Sequence, residues 1–131
     1  ASTLSLVISQ RLLRKLDPGS REREEVPPQR LKAIGFQEDE IQGLELYRAK
    51  PSDTNRTGYS GRTGIFQVLP ISRELESLIA QGANDQQLED YAQAHNLTSL
   101  RQSALEKLKA GITDISEVER VLGLAVEQPL A

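Results

Sequence analysis

Residues 57–69 read TGYSGRTGIFQVL and decide how the chain is organised. Gly58, Gly61 and Gly64 stand three apart, and glycine reaches backbone conformations with positive φ that other residues avoid. The residues that follow are mostly β-branched, aromatic or aliphatic. They predict a strand over 64–69 that stops at Pro70, because proline cannot donate to a β-ladder. The stretch therefore predicts a tight turn followed by a strand.

Four helices with capping residues are predicted after Pro70. Each of four segments opens on a side chain that caps a helix N-terminus and closes on glycine or asparagine. The predicted helices begin at Ser72, at Asp85, at Thr98 or Ser99, and at Thr113 or Asp114, and they end at Gly82, Asn96, Gly111 and Gly123. Asp114 and Glu117 also have the spacing of a capping box. The tail 124–131 is predicted to be frayed.

The chain before the turn is less regular. Leucines and other apolar residues recur near helical spacing and predict a helix over 3–16 with a wide apolar face. Residues 17–28 read DPGSREREEVPP, which predicts an exposed connection. A short helix is predicted over 29–34, and a short strand over 44–49 that would pair with 64–69. The predicted class is α+β and predominantly helical, with a small antiparallel β element followed by a bundle of about four short helices.

Composition limits the classes of function. The 131 residues suit a single domain, predicted to cover 1–123, and the net charge of −3 offers no basic field for nucleic acid. The absence of cysteine excludes disulfides, a thiolate nucleophile and cysteine-based metal sites, and His95 alone cannot form a histidine-rich site. No apolar run approaches the roughly 18 residues that span a bilayer, and no signal-peptide pattern opens the chain. These features predict a cytoplasmic protein.

No catalytic or cofactor-binding residue is predicted within this chain. The glycines of 57–64 suggest a phosphate loop, but that loop needs a lysine followed by serine or threonine at the start of a helix. Here Arg62 is followed by a strand, which favours a structural turn. Arg62 either anchors that turn through a carboxylate or carbonyl, or reaches a neighbouring subunit. His95 is predicted to be a surface residue at a helix C-terminus.

Several segments, taken in order, resemble the C-terminal region of the ATPases that power type II secretion and type IV pilus assembly. Residues 9–16, SQRLLRKL, look like that family's QRLVRRL helix, and 46–49, LYRA, look like the strand before its second cysteine pair. Residues 57–66 are similar to its T-G-Y-x-G-R-x-G-I-[YF] signature. LTSL at 97–100 and AGIT at 110–113 are similar to its closing pattern. The resemblance covers nearly the whole chain.

The resemblance implies a zinc site whose cysteines this sequence lacks. Many members carry one cysteine pair after the first segment and a second pair before the T-G-Y signature, and together these bind structural zinc. Here the four positions are Asp17, Ser20, Pro51 and Thr54. None supplies a thiolate, so no metal ligand is predicted, and the segment 17–56 is expected either to hold by packing or to stay mobile. A degenerate module that still binds zinc is the alternative.

The resemblance also implies a role for the intact protein. The family's phosphate loop, acidic motifs and histidine motif lie upstream of the region that matches. The chain is therefore expected to be the C-terminal subdomain of a hexameric ATPase, not catalytic by itself, with ATP and Mg²⁺ bound elsewhere in the intact protein. Type II secretion and pilus assembly both stay open, and so does a different class of protein, a free-standing helical adaptor.

The resemblance further implies partners and a location. The expected partners are the protein's own ATPase core, on which the helix over 3–16 would pack, neighbouring subunits, and an inner-membrane platform protein. The expected location is the cytoplasm, peripheral to the inner membrane through those partners. Arg11, Arg14 and Arg62 are the candidate subunit contacts.

Overall fold

A computed structural model describes residues 5–123, with side chains from residue 9 onward. The features predicted for residues 1–4 and the frayed tail predicted for 124–131 lie outside the described residues. Within the described range the chain forms six helices and two separate two-stranded antiparallel sheets. The predicted α+β class, predominantly helical with small antiparallel sheets, is confirmed.

The first sheet is a long ribbon in which β1, Ser5–Leu16, pairs antiparallel with β4, Tyr59–Pro70. The predicted helix over 3–16 is therefore wrong, because its described part is a strand. Leucines at 12, 13 and 16 fit a helical stripe, but in the ribbon Leu13 is buried while its neighbour Leu12 is exposed. The partner strand lies far along the chain, and the spacing of apolar residues within one segment cannot reveal it.

β4 begins at Tyr59, earlier than the predicted strand over 64–69. The turn is consequently confined to the residues just before Tyr59. Gly58 and Gly61 have the expected positive φ, 80° and 76°. Gly61 lies in a β-bulge, because β4 has one residue more than β1 between the pairs Arg14–Arg62 and Leu16–Tyr59.

The second sheet pairs β2, Glu22–Glu24, with β3, Leu46–Arg48. Two predictions are corrected here. The strand predicted at 44–49 does not pair with 64–69, whose partner is β1, and the connection predicted over 17–28 contains β2. The charged residues of that connection contribute to the pairing, since Nε of Arg48 donates to Oε2 of Glu22 at 2.6 Å across the two strands.

The six helices are short, and four of them follow β4 as predicted. They are α1 (Pro28–Ile34), α2 (Glu38–Ile41), α3 (Arg73–Ala80), α4 (Asp85–Ala94), α5 (Leu100–Lys109) and α6 (Ile115–Leu122). The position of α1 agrees with the predicted helix over 29–34. The single turn of α2 was not predicted.

The predicted helix caps are largely confirmed. Ser72, Ser99 and Asp114 each accept a hydrogen bond from a backbone N–H in the first turn of the helix that follows. The cap of α4 is Asn84 rather than Asp85, because Asn84 forms a capping box with Gln87. Asn96 has the left-handed conformation predicted for it, with φ of 56°.

Two groups of buried apolar side chains form the core. The main core is shared by β1, β3, β4, α1, α5 and α6, and the second core lies between the end of β4 and the pair α3–α4. Alternate residues of β4 belong to both: Ile65 is in the main core, Leu69 is in the second, and the buried Gln67 lies between them. β4 is therefore the element that joins the two cores.

We expect Gly58→Ala to destabilise the protein more than Gly61→Ala. Both positions have positive φ, which costs a residue with a side chain about 1–2 kcal/mol. A Cβ at Gly61 would meet no atom within 4 Å, whereas a Cβ at Gly58 would lie 2.7 Å from the backbone nitrogen of Lys50. We therefore expect about 1 kcal/mol for Gly61→Ala and about 3 kcal/mol for Gly58→Ala in chemical denaturation. Equal losses would contradict the close approach of the backbones at Gly58.

Candidate functional site

Arg14 attaches β1 to α6 through its backbone and its side chain. Its backbone N–H donates to Oε2 of Glu117 at 2.9 Å, and its Nη2 donates to Oε1 at 3.0 Å. The same guanidinium lies 4.1 Å from the centre of the Tyr59 ring, a cation–π distance. On the other side, Oγ1 of Thr113 donates to the carbonyl oxygen of Arg14 at 2.8 Å. One residue near the end of β1 therefore binds both the start of β4 and the last described helix.

Glu117 is a buried carboxylate between two arginines. Its side chain is 1% exposed, and Arg120, one turn later in α6, also donates to it. Burial by itself would raise the pKa of Glu117, but the hydrogen bonds from Arg120 and Arg14 outweigh burial and lower the pKa to about 2. Glu117 is therefore ionised at any physiological pH.

Asp114 connects the start of α6 with Tyr59. Its carboxylate caps α6, accepts the Tyr59 hydroxyl at 2.8 Å, and accepts the backbone N–H of Ala49 at 3.1 Å. Burial and the hydrogen bond to Asp114 raise the pKa of Tyr59, so its hydroxyl stays protonated and donates. Arg14, Tyr59, Asp114, Glu117 and Arg120 together form what we call the Glu117 junction.

The Glu117 junction is built to hold elements together and not to perform acid–base chemistry. A general base needs a pKa near the working pH, and Glu117 lies far below it. Tyr59 is shifted in the direction that makes it a poorer nucleophile. The predicted capping box is corrected in one respect: Asp114 caps α6, but the Glu117 carboxylate binds arginines.

The three arginines proposed as subunit contacts differ in their surroundings. Arg14 is engaged in the Glu117 junction. Arg11 lies 3.7 Å from the Asp85 carboxylate and lines a cavity of about 190 Å³ between the ribbon and the helices. Arg62 lies opposite Arg14 in the ribbon and is exposed. Within the described part of the chain, Arg62 takes part in no ion pair.

Arg14 and Tyr59 of the Glu117 junction lie in two of the segments that resemble the secretion ATPases. Residues 1–120 match the family described as type II/IV secretion system protein. This chain belongs to that family.

Individual relatives are consistent with the family assignment. The chain is 36% identical to the type IV pilus assembly ATPase PilB of Pseudomonas aeruginosa, over 92% of the chain and 21% of the relative. It is 37% identical to the type II secretion system ATPase E of Vibrio cholerae, over 92% of the chain and 24% of the relative. The secretion-family chain thus corresponds to a region of such an ATPase and spans about a fifth to a quarter of the length of these relatives.

The four positions of the implied zinc site do not fit a zinc ion. Asp17 and Ser20 lie in the turn that leaves β1, and Pro51 and Thr54 lie in the loop before β4. The Asp17 carboxylate already accepts the backbone N–H of Gly19, and the buried Ser20 hydroxyl is a poor zinc ligand while it keeps its proton. Across residues 5–123, no three histidine, cysteine or acidic residues converge as a metal site.

The glycine-rich stretch of this secretion-family chain does not form a phosphate loop. Its residues enter the bulged strand β4, and the backbone N–H of Gly58 donates to the side chain of Asn55. The stretch therefore has no helix N-terminus to offer a phosphate. None of the helices in the described range is long and apolar enough to cross a membrane.

His95 lies at the C-terminus of α4, as the sequence predicts. Its ring stacks on Tyr91 with centroids 4.2 Å apart, and Nε2 lies 3.2 Å from a Glu74 carboxylate oxygen. The histidine therefore links α4 to α3 at the surface.

Sequence reasoning missed Tyr59, Glu117 and Asn55 as functional or structural centres. In the sequence, Tyr59 stands out only as part of the T-G-Y signature, and Glu117 only as half of a capping box. The sequence does carry a signal for Glu117, which lies in the first turn of a helix beside its apolar stripe. A carboxylate that is buried in such a position needs a cationic partner. Asn55 has a weaker signal, because it is an Asx residue three positions before Gly58 in a polar, irregular segment.

We expect Glu117→Gln to flatten the dependence of stability on pH. The folded pKa of about 2 lies below the ordinary value of 4.5, so the stabilisation by Glu117 is full above pH 4.5 and is lost as the pH falls toward 2. At neutral pH the variant should lose about 2–4 kcal/mol, because two arginines lose their buried counter-charge. Urea denaturation between pH 2 and 7 measures both effects.

Glu38→Gln, at an exposed surface pair with Lys32, is the control and should change stability by less than about 0.5 kcal/mol. Parallel curves for Glu117→Gln and the unmodified protein would contradict this pairing.

Proposed function

We propose that this chain is the C-terminal subdomain of a hexameric ATPase of type II secretion or type IV pilus assembly. In this role it contributes to subunit contacts and couples ATP-driven motion to the inner-membrane machinery. Its family membership and its small share of each relative's length support a part of a motor. The chain supplies no catalytic residue, and ATP and Mg²⁺ bind elsewhere in the intact protein.

An exposed apolar face of the ribbon carries the proposal. Leu12 is 47% exposed and lies opposite Gly64, and Phe66, two residues further along β4, is 43% exposed. A Cβ at Gly64 would lie 3.0 Å from the Phe66 ring, so the absence of a side chain at Gly64 makes room for this ring. Val68 extends the patch on the same side of β4. We call these four residues the outer ribbon face.

The outer ribbon face supports packing on the ATPase core. Exposed apolar patches of this kind mark contact surfaces more often than isolated exposed residues do. The sequence assigned this contact to an apolar helix over 3–16. The same segment forms the strand β1, and we propose that it packs on the ATPase core in that form. Arg62 lies on this side of the ribbon as well, opposite Arg14 in the register. It supplies a cation beside the apolar patch for a subunit contact.

The proposed location is the cytoplasmic side of the inner membrane, reached through a platform protein. The net charge of −3 supports protein partners over nucleic acid. The sequence of the gene upstream of Ala1 tests the proposal as a whole. We expect a phosphate-loop motif followed by acidic and histidine motifs, whereas a start codon near Ala1 would favour a free-standing adaptor.

We expect Leu12→Gln to reduce the ATPase rate of the intact protein. The substitution places a polar amide in the contact with the ATPase core while leaving the internal packing of this chain intact, since Leu12 is exposed. Ile79→Gln is the matched control, because Ile79 is 43% exposed and belongs to α3, outside the ribbon. We expect at least about a fivefold lower rate for Leu12→Gln and no change for Ile79→Gln. Equal rates for the two variants would remove the support that this face gives to the proposal.

We expect Arg62→Ala to weaken hexamer assembly and lower the ATPase rate of the intact protein. The physical reason is the loss of an exposed cation that no described residue neutralises. Arg23→Ala, at an exposed position of β2, is the control. Sedimentation measures assembly, and phosphate release measures the rate. If Arg62→Ala behaves like Arg23→Ala in both, Arg62 has no role in subunit contacts.

A further inference from the structure

The side chain of Asn55 lies between the two turns that would carry the cysteine pairs. Its Nδ2 donates to Oδ2 of Asp17 at 3.1 Å and to the carbonyl oxygen of Tyr59 at 2.9 Å. Its Oδ1 accepts the backbone N–H of Thr57 at 3.2 Å and that of Gly58 at 3.0 Å. Both hydrogens of the amide and both lone pairs of its oxygen are therefore in use.

A backbone contact reinforces this link between the two turns. The N–H of Asp17 donates to the carbonyl oxygen of Gly58 at 2.9 Å, beside the hydrogen bond between the Asp17 and Asn55 side chains. Ser52 closes the loop on its other side, because its Oγ accepts the backbone N–H of Asn55 at 3.1 Å. The first turn is thus joined to the second by two adjacent hydrogen bonds, one of which is assisted by the Asp17 charge.

We propose that this Asn55 clasp takes the place of the structural zinc implied by the family resemblance, and that the segment 17–59 is ordered without metal. The clasp is defined as Asn55 with Asp17, Thr57, Gly58 and Tyr59. A zinc ion would cross-link the two turns through four ligands, and the clasp cross-links the same two turns through one amide. This inference is independent of the motor role and would hold for an adaptor as well.

The clasp also positions the Glu117 junction. Asn55 holds the carbonyl oxygen of Tyr59 and the N–H of Gly58, and these two residues set the point at which β4 begins. The Tyr59 ring then lies under Arg14, and its hydroxyl reaches Asp114. Asn55 is therefore a positioning residue that acts on the junction through Tyr59.

Hydrogen exchange of the intact protein, read by mass spectrometry, tests the clasp directly. We expect the amides of 57–59 to be equally protected with and without a zinc-selective chelator, and elemental analysis to find no stoichiometric zinc. In Asn55→Ala the amides of Thr57 and Gly58 should exchange about tenfold faster, because Oδ1 of Asn55 is their acceptor. Thr54→Ala is the control: it changes a position of the second cysteine pair, and its side chain contacts only the Ser52 hydroxyl among the described hydrogen bonds.

A second pair of variants, in which the acid and the amide at positions 17 and 55 are swapped, tests the clasp if Asn55→Ala fails to fold. Asn55→Asp retains the acceptor for Thr57 and Gly58 but places a carboxylate against Asp17, so we expect faster exchange over 57–59 and a lower unfolding midpoint. Adding Asp17→Asn restores a donor and an acceptor across the two turns and should recover at least half of that loss. The proposal is overturned by stoichiometric zinc, by loss of protection in chelator, by unchanged exchange in Asn55→Ala, or by a double variant no better than Asn55→Asp.

Discussion

The carboxylate of Glu117 has almost no access to water, and its pairing with Arg14 attaches α6 to β1 beside the main core. Removing a carboxylate from water costs several kcal/mol unless cations and hydrogen bonds replace the lost hydration. Arg120 comes from the same helix, but Arg14 comes from β1, 103 residues earlier in the chain. The burial of Glu117 therefore requires α6 to pack against β1. The Asp114 carboxylate, at the start of α6, adds hydrogen bonds from the Tyr59 hydroxyl and the Ala49 backbone N–H.

The helices after Pro70 could be predicted because their signals are local. Ser72, Ser99 and Asp114 cap helices whose first turns lie within a few residues, and Asn96 tolerates the left-handed conformation without help from the rest of the fold. β1 could not be predicted in this way. A strand is defined by the strand it pairs with, and leucines spaced for a helix also suit a ribbon when β4 supplies the ladder.

The candidate site was predictable only in part, for the same reason. Arg14 was singled out by its place in a family-like segment, but its partner Glu117 lies on another element. The acidic pair at 114 and 117 was interpreted as one local feature, whereas the folded chain gives each carboxylate separate partners. The four non-cysteine positions show in the sequence that no thiolate is available for a metal. They could not reveal that Asn55, just beyond the last of those positions, bridges the two turns.

β4 has a mechanical consequence that follows from its length. Its 12 residues extend about 40 Å at the rise of a strand, from the Glu117 junction at one end to α3 at the other. The strand crosses from the main core to the second core, and the buried polar side chain of Gln67 lies between the two groups of apolar side chains. Because β4 is continuous from the Glu117 junction to α3, a shift of the strand at the junction would move the backbone on which the α3–α4 pair packs, without any relay of side chains.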